Sequence, residues 1–119
     1  MTKARLETGA VGERAALQAY RRRGYRLVAR NWRCPAGELD LILARGATLV
    51  VCEVKSRRGS RFGEGWEAVD ARKQRKLRTV ASAFLQSTGA RPDALRFDVA
   101  SVRLSPDGSA QVEVFEDAF

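Results

Sequence analysis

Four charged residues recur at spacings that could bring them together: Glu38 and Asp40, then Glu53 and Lys55. Between the pairs runs a mostly apolar stretch interrupted at Arg45-Gly46-Ala47-Thr48. Glycine at the first central position of a two-residue turn suits type II′, so the stretch reads as a β-hairpin turning at Gly46-Ala47. In that register Asp40 faces Glu53, Glu38 faces Lys55, Ile42 faces Val51 and Ala44 faces Leu49, all on one side. The other side is Leu39, Leu41 and Leu43 against Val50, Cys52 and Val54, wholly apolar, which places the hairpin centrally in a sheet covered on both faces.

Directly opposed carboxylates, with Cβ atoms about 5 Å apart, destabilise a sheet unless a cation or a proton lies between them. One lysine does not neutralise Glu38, Asp40 and Glu53. A hard divalent ion such as Mg²⁺ or Mn²⁺ does, taking one or two carboxylates and completing its shell with water and phosphate oxygens. The bland alternative is a solvated edge hairpin with Glu38 and Lys55 as a surface ion pair. Proton sharing between the acids is a further alternative, though it leaves the surrounding basic surface unexplained.

The chain has no histidine, which excludes Ser/His/Asp and Cys/His nucleophiles and histidine metal ligation. Cys34, expected in a loop, and Cys52, in an apolar strand, have neither C-x-x-C spacing nor a histidine to complete a zinc site, and read as structural or incidental. Of 22 Lys and Arg, 19 fall in residues 1–80 with 8 of the 14 acids, so that part carries +11 and the remainder −3. Arginine dominates it and offers planar, paired donors to phosphate, the footprint of a nucleic-acid surface; a merely solvated basic face is the alternative.

At 119 residues and 45% hydrophobic composition, the chain reads as a single domain over residues 1–119 with its own core. No apolar run approaches the roughly 18 residues needed to span a bilayer, and Met1–Thr8 lacks the apolar stretch of a secretory leader, so a cytoplasmic protein with no membrane partner is expected.

The positioning elements follow from periodicity. A first helix is predicted over about Gly9–Arg23, with Thr8 as N-cap and Gly24 just past its end. Glu13 falls on its inward stripe with Ala16, Leu17 and Tyr20, where a carboxylate needs a reason. Strands are predicted over about Tyr25–Trp32, Glu38–Ala44 and Thr48–Lys55, then a mobile basic segment over Ser56–Gly65. A second helix, about Trp66–Ser87, carries the stripe Val69, Leu77, Val80, Ala81, Phe84 and Leu85 and ends near Gly89. Two strands, about Leu95–Leu104 and Gln111–Phe115, complete an α/β fold of order αβββαββ, a central mixed sheet flanked by helices. Lys73, four residues before Leu77, either reaches a phosphate or snorkels at the core's edge. Trp32 and Trp66 either pack or stack on bases.

Gly37-Glu38-Leu39-Asp40-Leu41-Ile42 followed by Glu53-Val54-Lys55-Ser56-Arg57 resembles the pattern of the PD-(D/E)XK, restriction-endonuclease-like superfamily, with leucine in place of the older motif's proline. Adding Gly12-Glu13, Arg30-Asn31-Trp32-Arg33, Glu67-Ala68-Val69 with Lys73, Arg96-Phe97-Asp98-Val99 and Ala118-Phe119, nearly the whole chain resembles the YraN-like family of bacterial proteins, which is similar to archaeal Holliday junction resolvases. The resemblance implies a restriction-endonuclease-like core and a metal-dependent endonuclease cutting nucleic acid, foremost DNA and including branched DNA. It implies Mg²⁺ or Mn²⁺ on Asp40, Glu53 and the Val54 carbonyl, Lys55 activating water, Glu13 as the acid of the first helix, and a homodimer. Arg57, Arg58, Arg61 and Lys73 are candidate backbone contacts. A non-catalytic nucleic-acid-binding module on the same fold is the rival.

Overall fold

The computed structural model describes residues 3–58 and 69–119. They form α1 (Lys3–Arg22), β1 (Arg26–Cys34), β2 (Gly37–Arg45), β3 (Thr48–Arg58), α2 (Ala71–Thr88), β4 (Ala94–Leu104) and β5 (Ala110–Phe115), in the expected order. A single sheet runs β1-β2-β3-β4-β5. Its β3–β4 pair is parallel and the other three pairs are antiparallel. Among the described residues, no helix is long and apolar enough to cross a membrane.

Several boundaries move, each for a local reason. Helix α1 begins at Lys3, so Thr8 lies inside it and is not its N-cap. The segment Ala4-Arg5-Leu6-Glu7 consists of good helix formers and extends the helix backwards. Helix α2 begins at Ala71 and not at Trp66, because the Asp70 side chain caps it by accepting the Lys73 N–H at 2.8 Å; Trp66 lies outside the described residues. Val69 is buried, yet it precedes the helix. Strand β3 runs past Lys55 to Arg58 because β4 pairs with it along its whole length. The expectation of a loop starting at Ser56 therefore fails for Ser56–Arg58, and its remainder, 59–65, lies outside the described residues. Cys34 closes β1, paired with Gly37, and does not sit in a loop.

The helices cover opposite faces of the sheet. On the α1 face, Ala16, Leu17 and Tyr20 pack with Leu41, Leu43, Val50, Cys52, Ala100 and Val102. On the α2 face, Leu77, Val80, Ala81 and Phe84 pack with Ile42, Ala44, Leu49, Val51, Phe97 and Val99. The expected hairpin register holds from Arg45↔Thr48 to Leu41↔Cys52, with Gly46 at φ +58°, the sign a type II′ turn needs at that position. Leu39 departs from the expected face: it packs with the α2-side core, away from Leu41 and Leu43. This break in alternation creates the site.

Candidate metal and phosphate site

Beyond Leu41↔Cys52, β2 leaves β3 but stays with β1 through Trp32↔Leu39, Arg33↔Glu38 and Cys34↔Gly37. The expected pairings of Asp40 with Glu53 and Glu38 with Lys55 are therefore absent from the ladder. Asn31, opposite the turn-out at Asp40, takes φ +52°, a conformation that asparagine tolerates better than most residues. Gly37 also follows from the local geometry. A Cβ there would lie 3.0 Å from Val80 Cγ2 and 3.1 Å from Lys76 Cε, and the φ of +151° is one that L side chains rarely adopt, so glycine suits the start of β2 this close to α2.

Asp40 fills the gap left by the diverging strands. Its Oδ2 accepts the Val54 main-chain N–H at 2.9 Å, supplying a partner that the interrupted ladder does not. Burial, and next the negative charge of Glu53, push the Asp40 carboxyl up to about 7, against the Val54 hydrogen bond that favours its ionised form. The two expected carboxylates thus do meet, through side chains and not through ladder pairing. Glu53 is 7% exposed, and its Oε1 lies 3.3 Å from Lys73 Nζ and 3.8 Å from Lys55 Nζ. Lys73 therefore turns its ammonium to Glu53 at the cleft. Glu38 does not pair with Lys55; it is half-exposed and binds Arg33 at 3.1 Å.

Glu13 approaches from α1. It is partly buried, as its inward position predicts. Desolvation raises its carboxyl above the usual range, a hydrogen bond with Asn31 opposes this, and the charges of Asp40 and Glu38 add to the rise. Gly12 lets the helix approach so closely: a Cβ there would fall 1.7 Å from Ser56 Oγ and 2.8 Å from Ser56 Cβ.

Asp40 and Glu53 border an open cleft of about 480 Å³ whose described lining also includes Glu38, Arg33, Lys73 and Lys76 but not Glu13 or Lys55. Arg57 and Arg58 lie farther along β3, outside that lining, and Arg61 lies outside the described residues. Trp32 packs edge-on against Phe84 with ring centroids 5.2 Å apart, the packing role. The described residues bring together no cluster of three or more metal-ligating side chains, so the donor set is the Asp40–Glu53 pair. Two hard carboxylates with room for water and phosphate match what Mg²⁺ or Mn²⁺ takes from a protein.

Sequence reasoning passed over Lys76 and Arg33 as cleft residues. Lys76 sits three residues after Lys73 and four before Val80, a spacing that places it on the same face as both. It also missed a buried network near the α1 C-terminus. Asp98, fully buried, accepts from Tyr20 Oη at 2.7 Å, from Arg96 through two nitrogens at 2.9 Å each, and from the Asp117 N–H at 2.9 Å. Arg96 also donates to Tyr25 Oη at 2.9 Å, and its hydrogen bond to Asp98 raises the guanidinium pKa further. The i, i+2 spacing of Arg96 and Asp98 in a strand was the available signal.

Residues 12–102 match the model of the uncharacterised protein family UPF0102. The chain is similar to a UPF0102 protein of Symbiobacterium thermophilum, 46% identical over 93% of this chain and 94% of that one. It is also similar to one of Frankia alni, 44% identical over 93% and 92%, and to one of Moorella thermoacetica, 42% identical over the full length of both.

Proposed function

The chain belongs to the uncharacterised protein family UPF0102, and from that premise we propose that it is a metal-dependent endonuclease-like protein on the PD-(D/E)XK plan, similar to archaeal Holliday junction resolvases. It hydrolyses phosphodiester bonds of nucleic acid, with DNA, including branched DNA, as the substrate class. The observation that carries this reading is the Asp40–Glu53 pair: two carboxylates held together where burial and mutual repulsion disfavour double ionisation, bordered by Lys55, Lys73, Lys76 and Arg33.

Asp40 and Glu53, with the Val54 carbonyl, would hold Mg²⁺ or Mn²⁺. Such an ion, when bound, acidifies water and neutralises phosphoryl charge. The protein's own groups do the rest. Val54 N–H fixes Asp40 Oδ2, which orients the carboxylate. Lys55 and Lys73, both facing Glu53 Oε1, would serve as donors to the attacking water and to the phosphate respectively. Lys76 and Arg33 extend phosphate binding to the cleft mouth. Glu13, whose carboxyl is raised above the usual range by desolvation, stands on α1 within electrostatic reach of Asp40.

The test is cleavage of labelled linear, single-stranded, flap and four-way-junction DNA with Mg²⁺ or Mn²⁺, comparing wild type with Asp40→Asn and Lys55→Ala. Metal-dependent cutting lost in both variants supports the nuclease. Salt-sensitive binding without cutting on any substrate moves the assignment to a binding module.

A further inference from the structure

A second concave surface lies between α1 and β1. This groove, about 360 Å³, is lined by Arg14, Leu17, Gln18, Arg21, Leu27 and Arg30. Arg14, Gln18 and Arg21 follow one another at i, i+4 and i+7 and so share a helix face, and all three are exposed, as is Arg30 across on β1. Its floor is Leu17 and Leu27, against which arginine stems can lie while their heads stay free. Among the described residues the lining includes no carboxylate, and the acid beside the groove, Glu13, feels the charge of Arg30.

Three guanidiniums around one groove repel one another, and helix geometry rewards only part of the arrangement. Arg21 stands in the last turn of α1, where a cation complements the helix dipole, but Arg14 is mid-helix and gains nothing there. An anion in the groove offsets the repulsion. The groove also adjoins the acid cluster from the other side of edge strand β1: Arg14 follows Glu13, and Arg30 precedes Asn31, the hydrogen-bond partner of Glu13.

We propose that this groove holds the phosphate backbone of a duplex whose neighbouring segment occupies the cleft, so that the nucleic acid is gripped on both sides of the β1 edge. This rests on the nucleic-acid reading above and narrows its substrate to one with double-stranded character flanking the reactive phosphate. Arg14 and Arg21 are seven residues apart, about 10 Å along the helix, which matches roughly three base-pair rises of about 3.4 Å.

The experiment measures binding of a labelled duplex of about 30 base pairs in EDTA across a salt series, for wild type, Arg14→Gln with Arg21→Gln, and Arg14→Lys with Arg21→Lys. Arg30 is left in place because it neighbours Glu13. Each phosphate contact contributes about 0.9 to the slope of log Kobs against log salt. The glutamine pair is expected to lower that slope by about 1.8 at unchanged melting temperature, and the lysine pair to keep most of it. Wild-type binding with a slope unaltered in the glutamine pair overturns the groove and leaves the cleft reading standing. Absence of salt-dependent duplex binding by wild type overturns both. Loss of binding to phosphatidylserine-containing vesicles, with duplex binding intact, assigns the groove to a membrane surface and overturns the proposal.

Discussion

The main-chain N–H of Val54 donates to Asp40 Oδ2 at 2.9 Å, just beyond the last ladder pair of β2 and β3, Leu41↔Cys52. A side chain thus closes a gap that strand pairing leaves open, and the same side chain is half of the acid pair. The position is therefore structural and chemical at once, and the two roles separate on substitution. Asparagine keeps an acceptor for Val54 and discards the charge.

The sign of the pH dependence follows from the Asp40 carboxyl being pushed up to about 7, from 3.8. Between those values the unfolded chain has released a proton that the folded chain keeps, so the contribution to stability is full below about 4 and is lost as pH rises through about 7. Without divalent metal, Asp40→Asn is expected to remove this slope and to be more stable than wild type at pH 8. The gain is on the order of 1–2 kcal/mol, because asparagine keeps the Val54 hydrogen bond while removing the charge that Glu53 repels. Urea unfolding in EDTA at a series of pH values checks it; a wild-type slope persisting in Asp40→Asn would show that the strain lies elsewhere. Adding Mg²⁺ should restore wild-type stability at pH 8 and leave the asparagine variant largely unaffected.

Lys73 separates function from stability in the opposite direction. Its side chain is 42% exposed while its partner Glu53 is nearly buried, so an ion pair of this kind contributes about 1 kcal/mol or less, and Lys55 remains to face the acid. Lys73→Met should melt within a few degrees of wild type. If Lys73 serves the phosphate, its loss should lower cleavage about 10²-fold, the scale of removing one donor aimed at developing charge. Unaltered cleavage would return Lys73 to a purely local pairing role.

Much of this arrangement was legible in the sequence. The turn at Gly46-Ala47 and the apolar alternation set the register near the hairpin tip, and the inward stripe of α1 accounts for the partial burial of Glu13. The point where β2 leaves β3 was not legible, because it arises from competition between two neighbours: β1 continues to pair with β2 through Glu38 and Gly37, while Gly37 is drawn under α2. A period-two rule applied to Leu39-Asp40-Leu41 has no term for that contest, which is why Leu39 fell on the wrong face. The start of α2 was missed for a simpler reason: Asp70 was available as a cap, but the apolar Val69 made the stripe look longer.

Gly12 tests the close approach of α1 to β3. With a Cβ 1.7 Å from Ser56 Oγ and 2.8 Å from Ser56 Cβ, Gly12→Ala must push the helix off the strand, since the obstacle is a short side chain fixed to the backbone. The expected cost is about 1–3 kcal/mol, despite alanine's better helix propensity. Ser56→Ala should recover only part of it, because the Cβ contact remains, whereas Ser56→Gly should recover more. Thermal melting of the single and double variants measures this coupling, and Gly12→Ala melting at or above wild type would mean that the helix is free to shift.

The Asp98 network makes the last prediction. Asp98 is fully buried and satisfied by Tyr20, by both nitrogens of Arg96 and by the Asp117 N–H, so removing its carboxylate leaves Arg96, itself only 19% exposed, without its main counter-charge. Breaking such a pair from one side costs about 3–5 kcal/mol, and Asp98→Ala is expected in that range or unfolded at 37 °C. Tyr20→Phe deletes one hydrogen bond to a charged acceptor while keeping the ring and its edge-on contact with Tyr25 at 5.2 Å, and should cost about 1.5–3 kcal/mol. If both variants fold, the proposed metal-dependent cleavage should be unaffected in them, because the network lies on the α1 side of the sheet and the cleft on the α2 side. Chemical denaturation gives the ranking: a larger loss for Tyr20→Phe than for Asp98→Ala would mean that the hydroxyl, and not the Arg96 pair, organises this end of the fold.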